Sequence, residues 1–344
     1  MKAHFKKYTL QFYRPAGTSR GTYQIRESWF IFLGEDGKVG IGECAPLPNL
    51  SLENLGRMDE KLAEVCSDID NFSLNIQQLK NWPSIQFGLE TALFDLKNGG
   101  TRTIFNTGFT SGKQGIPING LIWMGTHEYM QEQIREKLEQ GFRCIKMKIG
   151  AIDFETELAL LKSIRKQFPA KEITLRVDAN CAFKADEALE KLKRLAELEI
   201  HSIEQPIATL QWETLSKLCE QSPLPIALDE ELIGITNLEQ KEELLQTVKP
   251  AYLVLKPSLH GGISGCDEWI SLAEKNSIKW WITSYLESNI GLNAIAQWTA
   301  TKPINMEQGL GTGKLFSNNF DSPLSIANDQ LWYLPGKNWK IKFV

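Results

Sequence analysis

The chain has 344 residues, 42% hydrophobic and 23% charged, and 38 Lys and Arg against 42 Asp and Glu leave a net charge of −4. That composition excludes a disordered chain and supplies enough apolar mass for a large core. The mild acidity offers no basic footprint for nucleic acid, and no run of about 18 apolar residues is present to span a membrane.

The N-terminal stretch MKAHFKKYTLQFYRPAG is basic but lacks the apolar segment of a secretory leader. Six cysteines (Cys44, Cys66, Cys144, Cys181, Cys219, Cys266) are scattered without a C-x-x-C pair. Both features predict a cytoplasmic protein with reduced thiols, not a disulfide framework or a structural zinc site.

Residues 7–13, 22–33 and 39–43 are rich in aromatic and β-branched side chains and predict a strand meander. Gly34-Glu35-Asp36-Gly37 supplies its turn chemistry. The polar segment 14–21, with Arg14 and Arg20, is a candidate lid. Ser51 predicts the start of a helix running to about Cys66, and Pro83 opens another that Asn98-Gly99-Gly100 stops. The first hundred or so residues therefore read as an α+β unit.

From about residue 116 the pattern changes. Short apolar runs at 117–122, 144–149, 173–179, 202–205, 225–229, 251–256, 280–284 and 304–310 alternate with amphipathic helices, including 128–140, 155–167, 186–198 and 237–247. Eight runs recurring at roughly 23–32 residues predict an α/β chain folded as a TIM-type barrel. A doubly wound sheet competes, but Asn119-Gly120-Leu121 supplies no phosphate-binding glycine fingerprint. Beyond Gly313 no further unit follows, and the tail is expected to fold back on the N-terminal unit. The expected division is an α+β capping domain at 1–112, joined by the return 314–344, and a barrel at 113–313.

The strand ends carry the chemistry. In order they present Lys146 and Lys148, Asp178 and Asn180, Glu204, Asp229 with Glu230, and Lys256. Singly, a K-x-K pair reads as a solvated edge and a terminal Asp or Glu as a turn residue. Five successive strands ending in Lys, Asp, Glu, Asp, Lys read as one site, because strand C-termini share one barrel mouth. Alternation puts Lys146 with Lys148 on one face, and Arg176 with Asp178 and Asn180. Three converging carboxylates repel unless a cation holds them, and an all-oxygen set suits Mg2+. A cation flanked by lysines is equipment for removing a proton next to a carboxylate, and crowded positive charge lowers a lysine's proton affinity enough for it to act as a base.

The segments Lys146-Met147-Lys148, Val177-Asp178-Ala179-Asn180, Ile203-Glu204-Gln205-Pro206, Leu228-Asp229-Glu230 and Leu255-Lys256-Pro257 resemble the enolase superfamily in its muconate-lactonizing subgroup. Gly42-Glu43-Cys44-Ala45-Pro46-Leu47-Pro48, the stretch 87–96, Gly261-Gly262 and Ser284-Tyr285-Leu286-Glu287-Ser288 fit the same likeness, which covers nearly the whole chain. The resemblance implies a modified (β/α)7β barrel closed by a cap from both termini. It implies Asp178, Glu204 and Asp229 as Mg2+ ligands, with Mn2+ as a substitute. Lys148 would be the general base, Lys146 its tuner, and Lys256 the group on the opposite face. Asn180, Glu230, Arg176 and Ser284 would stand near metal or substrate, and Arg20 or Arg14 would close over it. The implied partner is a small carboxylate, with no nucleic acid or membrane partner, and homo-oligomerisation is compatible with such a chain.

Within the subgroup, the dipeptide epimerases carry an acidic D-x-D pair on the eighth strand. Ile304-Asn305-Met306-Glu307-Gln308-Gly309-Leu310 lacks it. The divergent cap loop and Arg176 are similar to the o-succinylbenzoate synthases, which implies syn elimination of water from a hydroxycyclohexadiene carboxylate. An epimerase or N-acylamino acid racemase on the same residues is the alternative. A Schiff-base barrel using Lys146 or Lys148 would leave the carboxylates unexplained. Of the histidines, His260 falls nearest the mouth, and none joins a zinc pattern.

Overall fold

The computed structural model describes residues 1–18, 21–123 and 125–343, so Arg20 lies outside the described residues. The chain opens with an antiparallel meander of β1 (Lys2–Thr18), β2 (Gly21–Glu35) and β3 (Lys38–Cys44). The β2–β3 turn closes at Glu35↔Lys38 with Asp36 and Gly37 both at positive φ (50° and 75°), as a tight twisted hairpin requires. The first hairpin is far longer than its apolar pattern predicts. Its register breaks between Gln11 and Ala16, and beyond that irregularity it continues to Thr18↔Gly21.

Three helices follow: α1 (Met58–Ser67), α2 (Ile69–Leu74) and α3 (Pro83–Lys97). The first starts later than Ser51, because that hydroxyl is used elsewhere: it accepts from Leu47 N at 2.8 Å and closes a turn. Pro83 stands at the first position of α3, where its missing N–H costs nothing. Helix α3 is buried along most of its length and lies directly on β3. Glycine permits the approach, since a Cβ on Gly42 would overlap the Gly88 carbonyl and one on Gly88 would overlap Cys44 Sγ.

After β4 (Ile116–Pro117), which joins a small sheet with the tail, the barrel runs as β5 (Gly120–Ile122), α4 (His127–Glu139), β6 (Cys144–Lys148), α5 (Phe154–Gln167), β7 (Thr174–Asp178), α6 (Ala185–Ala196), β8 (Ser202–Glu204) and α7 (Trp212–Gln221). It continues through β9 (Ile226–Leu228), α8 (Leu238–Val248), β10 (Tyr252–Leu255), α9 (Gly262–Lys275), β11 (Lys279–Ile282) and α10 (Asn289–Thr299). Strands β5 to β11 form one parallel sheet in sequential order. The eighth run, 304–310, contributes only bridges at Ile118↔Gln308 and Thr283↔Gly309. There the Gln308 side chain substitutes for backbone, accepting from Ile282 N (2.8 Å) and donating to Met306 O (2.7 Å). This is a (β/α)7β arrangement, with no helix after the last run among the described residues.

The tail forms β12 (Leu324–Ala327) and β13 (Gln330–Tyr333), and β13 pairs with β4 at the foot of the barrel. Around that hairpin the tail touches the cap. Phe316 bridges Phe12, and Phe320 and Phe343 pack against Tyr8 and Phe30. Among the described residues, no disulfide joins the cysteines and no helix is long and apolar enough to cross a membrane.

Two cap carboxylates seat the cap on the barrel by filling helix N-termini. Glu43, fully buried at the end of β3, accepts from Ser28 Oγ, Ser288 N and Gly291 N (each 2.9 Å) and from Ser288 Oγ (2.5 Å) at the start of α10. Glu90 of α3 does the same for α9, accepting from Ile263 N and Ser264 Oγ (both 2.5 Å). Helix N-termini leave unpaired donors and favour negative charge. Replacing Glu43 by Ala would strand several of these donors, and an urea titration should show a loss of about 3 kcal/mol. A midpoint unchanged from that of the parent chain would remove Glu43 from this role.

Candidate active site

The C-terminal strand ends deliver their side chains to one point. The register pairs Lys148 with Asp178 and Asp178 with Glu204, so these three stand at one level. Asp229 follows directly after β9. One oxygen from each of Asp178, Glu204 and Asp229 lies within 4.8 Å of the others, and all three residues are buried. The predicted carboxylate cluster is therefore real.

Three lysines face it. Lys146 Nζ lies 2.9 Å from Asp178 Oδ2 and contacts Glu204 Oε2. Lys148 Nζ is 3.1 Å from Asp178 Oδ2 and donates to Asn180 Oδ1 at 2.7 Å. Lys256 Nζ meets both Asp229 oxygens, at 2.6 and 2.5 Å. Asn180 links two of the predicted residues, since its amide donates to Glu230 Oε1 at 2.9 Å while its oxygen receives Lys148.

The electrostatics follow from burying like charges together. Burial alone would lower Lys146, but Asp178, Glu204 and Asp229 outweigh it and raise its proton affinity. Burial likewise opposes ionisation of Asp178, yet Lys146 and Lys148 hold it well below the usual carboxylate range. Glu204 goes the other way: burial, opposed by Lys146 but reinforced by Asp178 and Asp229, pushes it up to about 8. Burial and then Asp229 and Asp178 push Glu230 up to about 7. Among the described residues, Glu204 Oε1 and Glu230 Oε2 are buried with no hydrogen-bond partner. Orphaned oxygens beside an all-carboxylate donor set are what a hard divalent cation satisfies, so the residues present fit such an ion.

The backbone here is strained. Asn180, Cys181 and Gln205 adopt positive φ (41°, 67° and 34°), an arrangement that persists at sites because surrounding contacts over-determine it. Gln205 supplies some of those contacts. Its Oε1 accepts from Asp229 N (3.3 Å) and Glu231 N (3.1 Å), and its Nε2 donates to Glu231 Oε2 (3.1 Å). It thereby braces the end of β8 against that of β9, a role sequence reasoning missed.

Asp178 and the three lysines form part of the wall of a cavity of about 620 Å³. Lys146, Lys148, Asp178, Asn180, Glu230, Lys256 and Ser284 line it, while Glu204 and Asp229 are not among its lining residues. Ser284 Oγ is 2.6 Å from Thr312 Oγ1 in the loop after the eighth run. Arg176 does not line the cavity. It pairs in register with Lys146, lies over the Trp281 ring at 4.5 Å and donates to Glu307 O at 2.8 Å. Arg14 lines the outer cavity beside Tyr13, Leu47 and Leu50 of the cap, and Lys314 and Leu315 of the return segment. Trp281 and Asn119 also line it. The sequence pattern marks neither as ligand-facing; a tryptophan there reads first as core.

Comparison with known proteins gives the same picture. The enolase C-terminal domain-like family profile matches residues 129–333, and a profile for the MenC N-terminal domain matches residues 2–96. The o-succinylbenzoate synthase of Desulfotalea psychrophila is 45% identical, over 95% of this chain and 97% of its own. The crystal structure of MenC from that organism superposes with a TM-score of 0.86, covering 96% of this chain and 99% of that one at 40% identity. The L-Ala-D/L-Glu epimerase of Bacillus subtilis is 25% identical over 92% of this chain and 86% of its own. Profile, relative and superposition agree with one another: the chain belongs to the enolase superfamily and carries a MenC-type N-terminal domain.

Proposed function

We propose that this chain is an o-succinylbenzoate synthase: a hydro-lyase converting 2-succinyl-6-hydroxy-2,4-cyclohexadiene-1-carboxylate to o-succinylbenzoate for menaquinone synthesis. The observation that carries the reading is the buried Asp178–Glu204–Asp229 cluster, with Lys148 and Lys256 reaching it from strands on either side. The whole-length likeness to the Desulfotalea psychrophila enzyme supports the choice of reaction.

We assign the cluster to Mg2+, with Mn2+ as substitute. A divalent ion there supplies fixed positive charge that holds the substrate carboxylate, stabilises charge developing on it and lowers the proton affinity of nearby lysines. Lys148 takes the proton α to that carboxylate. The C–H electrons form the new ring double bond, the C–O bond breaks, and Lys148 returns its proton to the departing hydroxyl on the same face as water. Asn180, bonded to Lys148 and Glu230, fixes the lysine's aim. Lys146 keeps its charge and tunes Lys148. Lys256 faces the other side of the flat ring and balances the developing negative charge. Ser284 and Arg14 contact the remainder of the substrate, and Arg176 supports the wall beneath.

We divide the chain into a cap of 1–112 with the return 314–344, and a catalytic barrel of 113–313. We assign the enzyme to the cytoplasm, where thiols at such spacing stay reduced.

A racemase or epimerase reading draws on Lys148 and Lys256 both reaching the cluster, since two opposed bases exchange an α-proton from either face. Parallel assays of the diene, an N-acylamino acid and L-Ala-L-Glu decide between them, and the fastest turnover should be of the diene. Three variants test the roles. Lys148→Ala should slow loss of the diene absorbance by roughly 10²–10⁴-fold. Glu204→Gln should weaken Mg2+ binding in calorimetry by at least about tenfold. Arg14→Ala should raise KM about tenfold with a smaller effect on kcat, and an unchanged KM would take Arg14 out of the substrate site.

A further inference from the structure

Lys256 differs from the other two lysines in how its backbone is held. Lys146 and Lys148 lie inside β6 and pair with Arg176 and Asp178 of β7. Lys256 lies one residue past the end of β10. On one side β11 still pairs up to Leu255↔Ile282, but on the other β9 stops at Leu228, whose partner is Leu253. The Lys256 N–H therefore points beyond the last acceptor that β9 offers. A part-buried backbone donor at such a place is satisfied by another acceptor where one is in reach.

His260 provides it. The Lys256 N–H donates to His260 Nδ1 at 3.1 Å. In return the His260 N–H donates to Lys256 O at 2.9 Å, and Leu259 N donates to the same carbonyl at 2.9 Å. One residue thus holds both peptide groups of Lys256, and only the ring contact depends on its side chain. The loop is wound tightly enough to fix the ring. Gly261 and Gly262 take positive φ (86° and 75°), and a Cβ on Gly265 would run into the His260 carbonyl.

An accepting Nδ1 requires the neutral ring with its proton on Nε2. Burial, then the ammoniums of Lys256 and Lys241, hold the imidazole well below the usual histidine range. Among the described residues Nε2 has no partner. A cavity of about 40 Å³, lined by His260 with Gln86, Lys241, Ser264 and Glu268, has room for a water that such a donor can use.

We propose that His260 is the positioning residue for Lys256, its Nδ1 completing the strand ladder where β9 ends and so setting where the lysine's ammonium points. The inference rests on the reading of Lys256 as a group of the dehydration site. A shift of about 1 Å in a catalytic group costs up to roughly a hundredfold in rate.

Two variants separate positioning from packing. Asn at this position offers Oδ1 close to where Nδ1 sits but loses ring volume, whereas Phe keeps the volume and has no acceptor. Positioning predicts that His260→Phe lowers kcat at least tenfold with KM within about threefold, while His260→Asn restores kcat to within about threefold of the parent. Packing predicts the reverse order, and that order, or two variants with the parent kcat, would overturn the proposal. If the parent chain itself fails to dehydrate the diene, the functional reading fails by itself. Amide hydrogen exchange at Lys256 then still decides the contact: slow in the parent and in H260N but fast in H260F supports it, and equal rates in all three overturn it.

Discussion

Three carboxylates held within 4.8 Å of one another under a protein surface repel, and the rest of this molecule is arranged around that repulsion. Lysines from β6 and from just past β10 stand against them. The cost is visible in Glu204 and Glu230, whose proton affinities rise and whose buried oxygens lack partners. Strained backbone at Asn180, Cys181 and Gln205 adds roughly 1–3 kcal/mol per residue to that cost. Such an arrangement survives because the surrounding barrel is large. Its hydrophobic body runs through every strand and helix around the site, and it offsets a local deficit that a smaller domain could not.

The chemistry was legible in the sequence because a barrel converts order into convergence. Lys146, Lys148, Asp178, Glu204, Asp229 and Lys256 fall at strand ends, and parallel strands deliver their ends to one mouth. Other features depended on contacts that no local pattern encodes. Gln205 reaches 24 residues ahead to Asp229, and Glu43 reaches 245 residues ahead to Ser288. The run 304–310 had the composition of a strand, yet the Gln308 amide occupies the ladder position a neighbour would have used. Ser51 had the signature of a helix cap, but its hydroxyl closes a turn onto Leu47.

The site is built from two kinds of part. The barrel supplies rigid strand ends whose geometry serves any reaction that begins by removing a proton beside a carboxylate. The outer cavity is lined by the first hairpin, Leu47 and Leu50, α4 and the return segment, and the hairpin and return are tied to each other where Tyr13 N donates to Leu315 O at 2.9 Å and Ser317 N to Gln11 O at 2.8 Å. The fold itself is shared with an epimerase and a muconate lactonizing enzyme.

The carboxylates of Glu43 and Glu90 each occupy the start of a barrel helix, and both helices emerge from loops that bear on the cavity. A swing of the cap as one piece would strip α9 and α10 of their acceptors together and expose two desolvated acids.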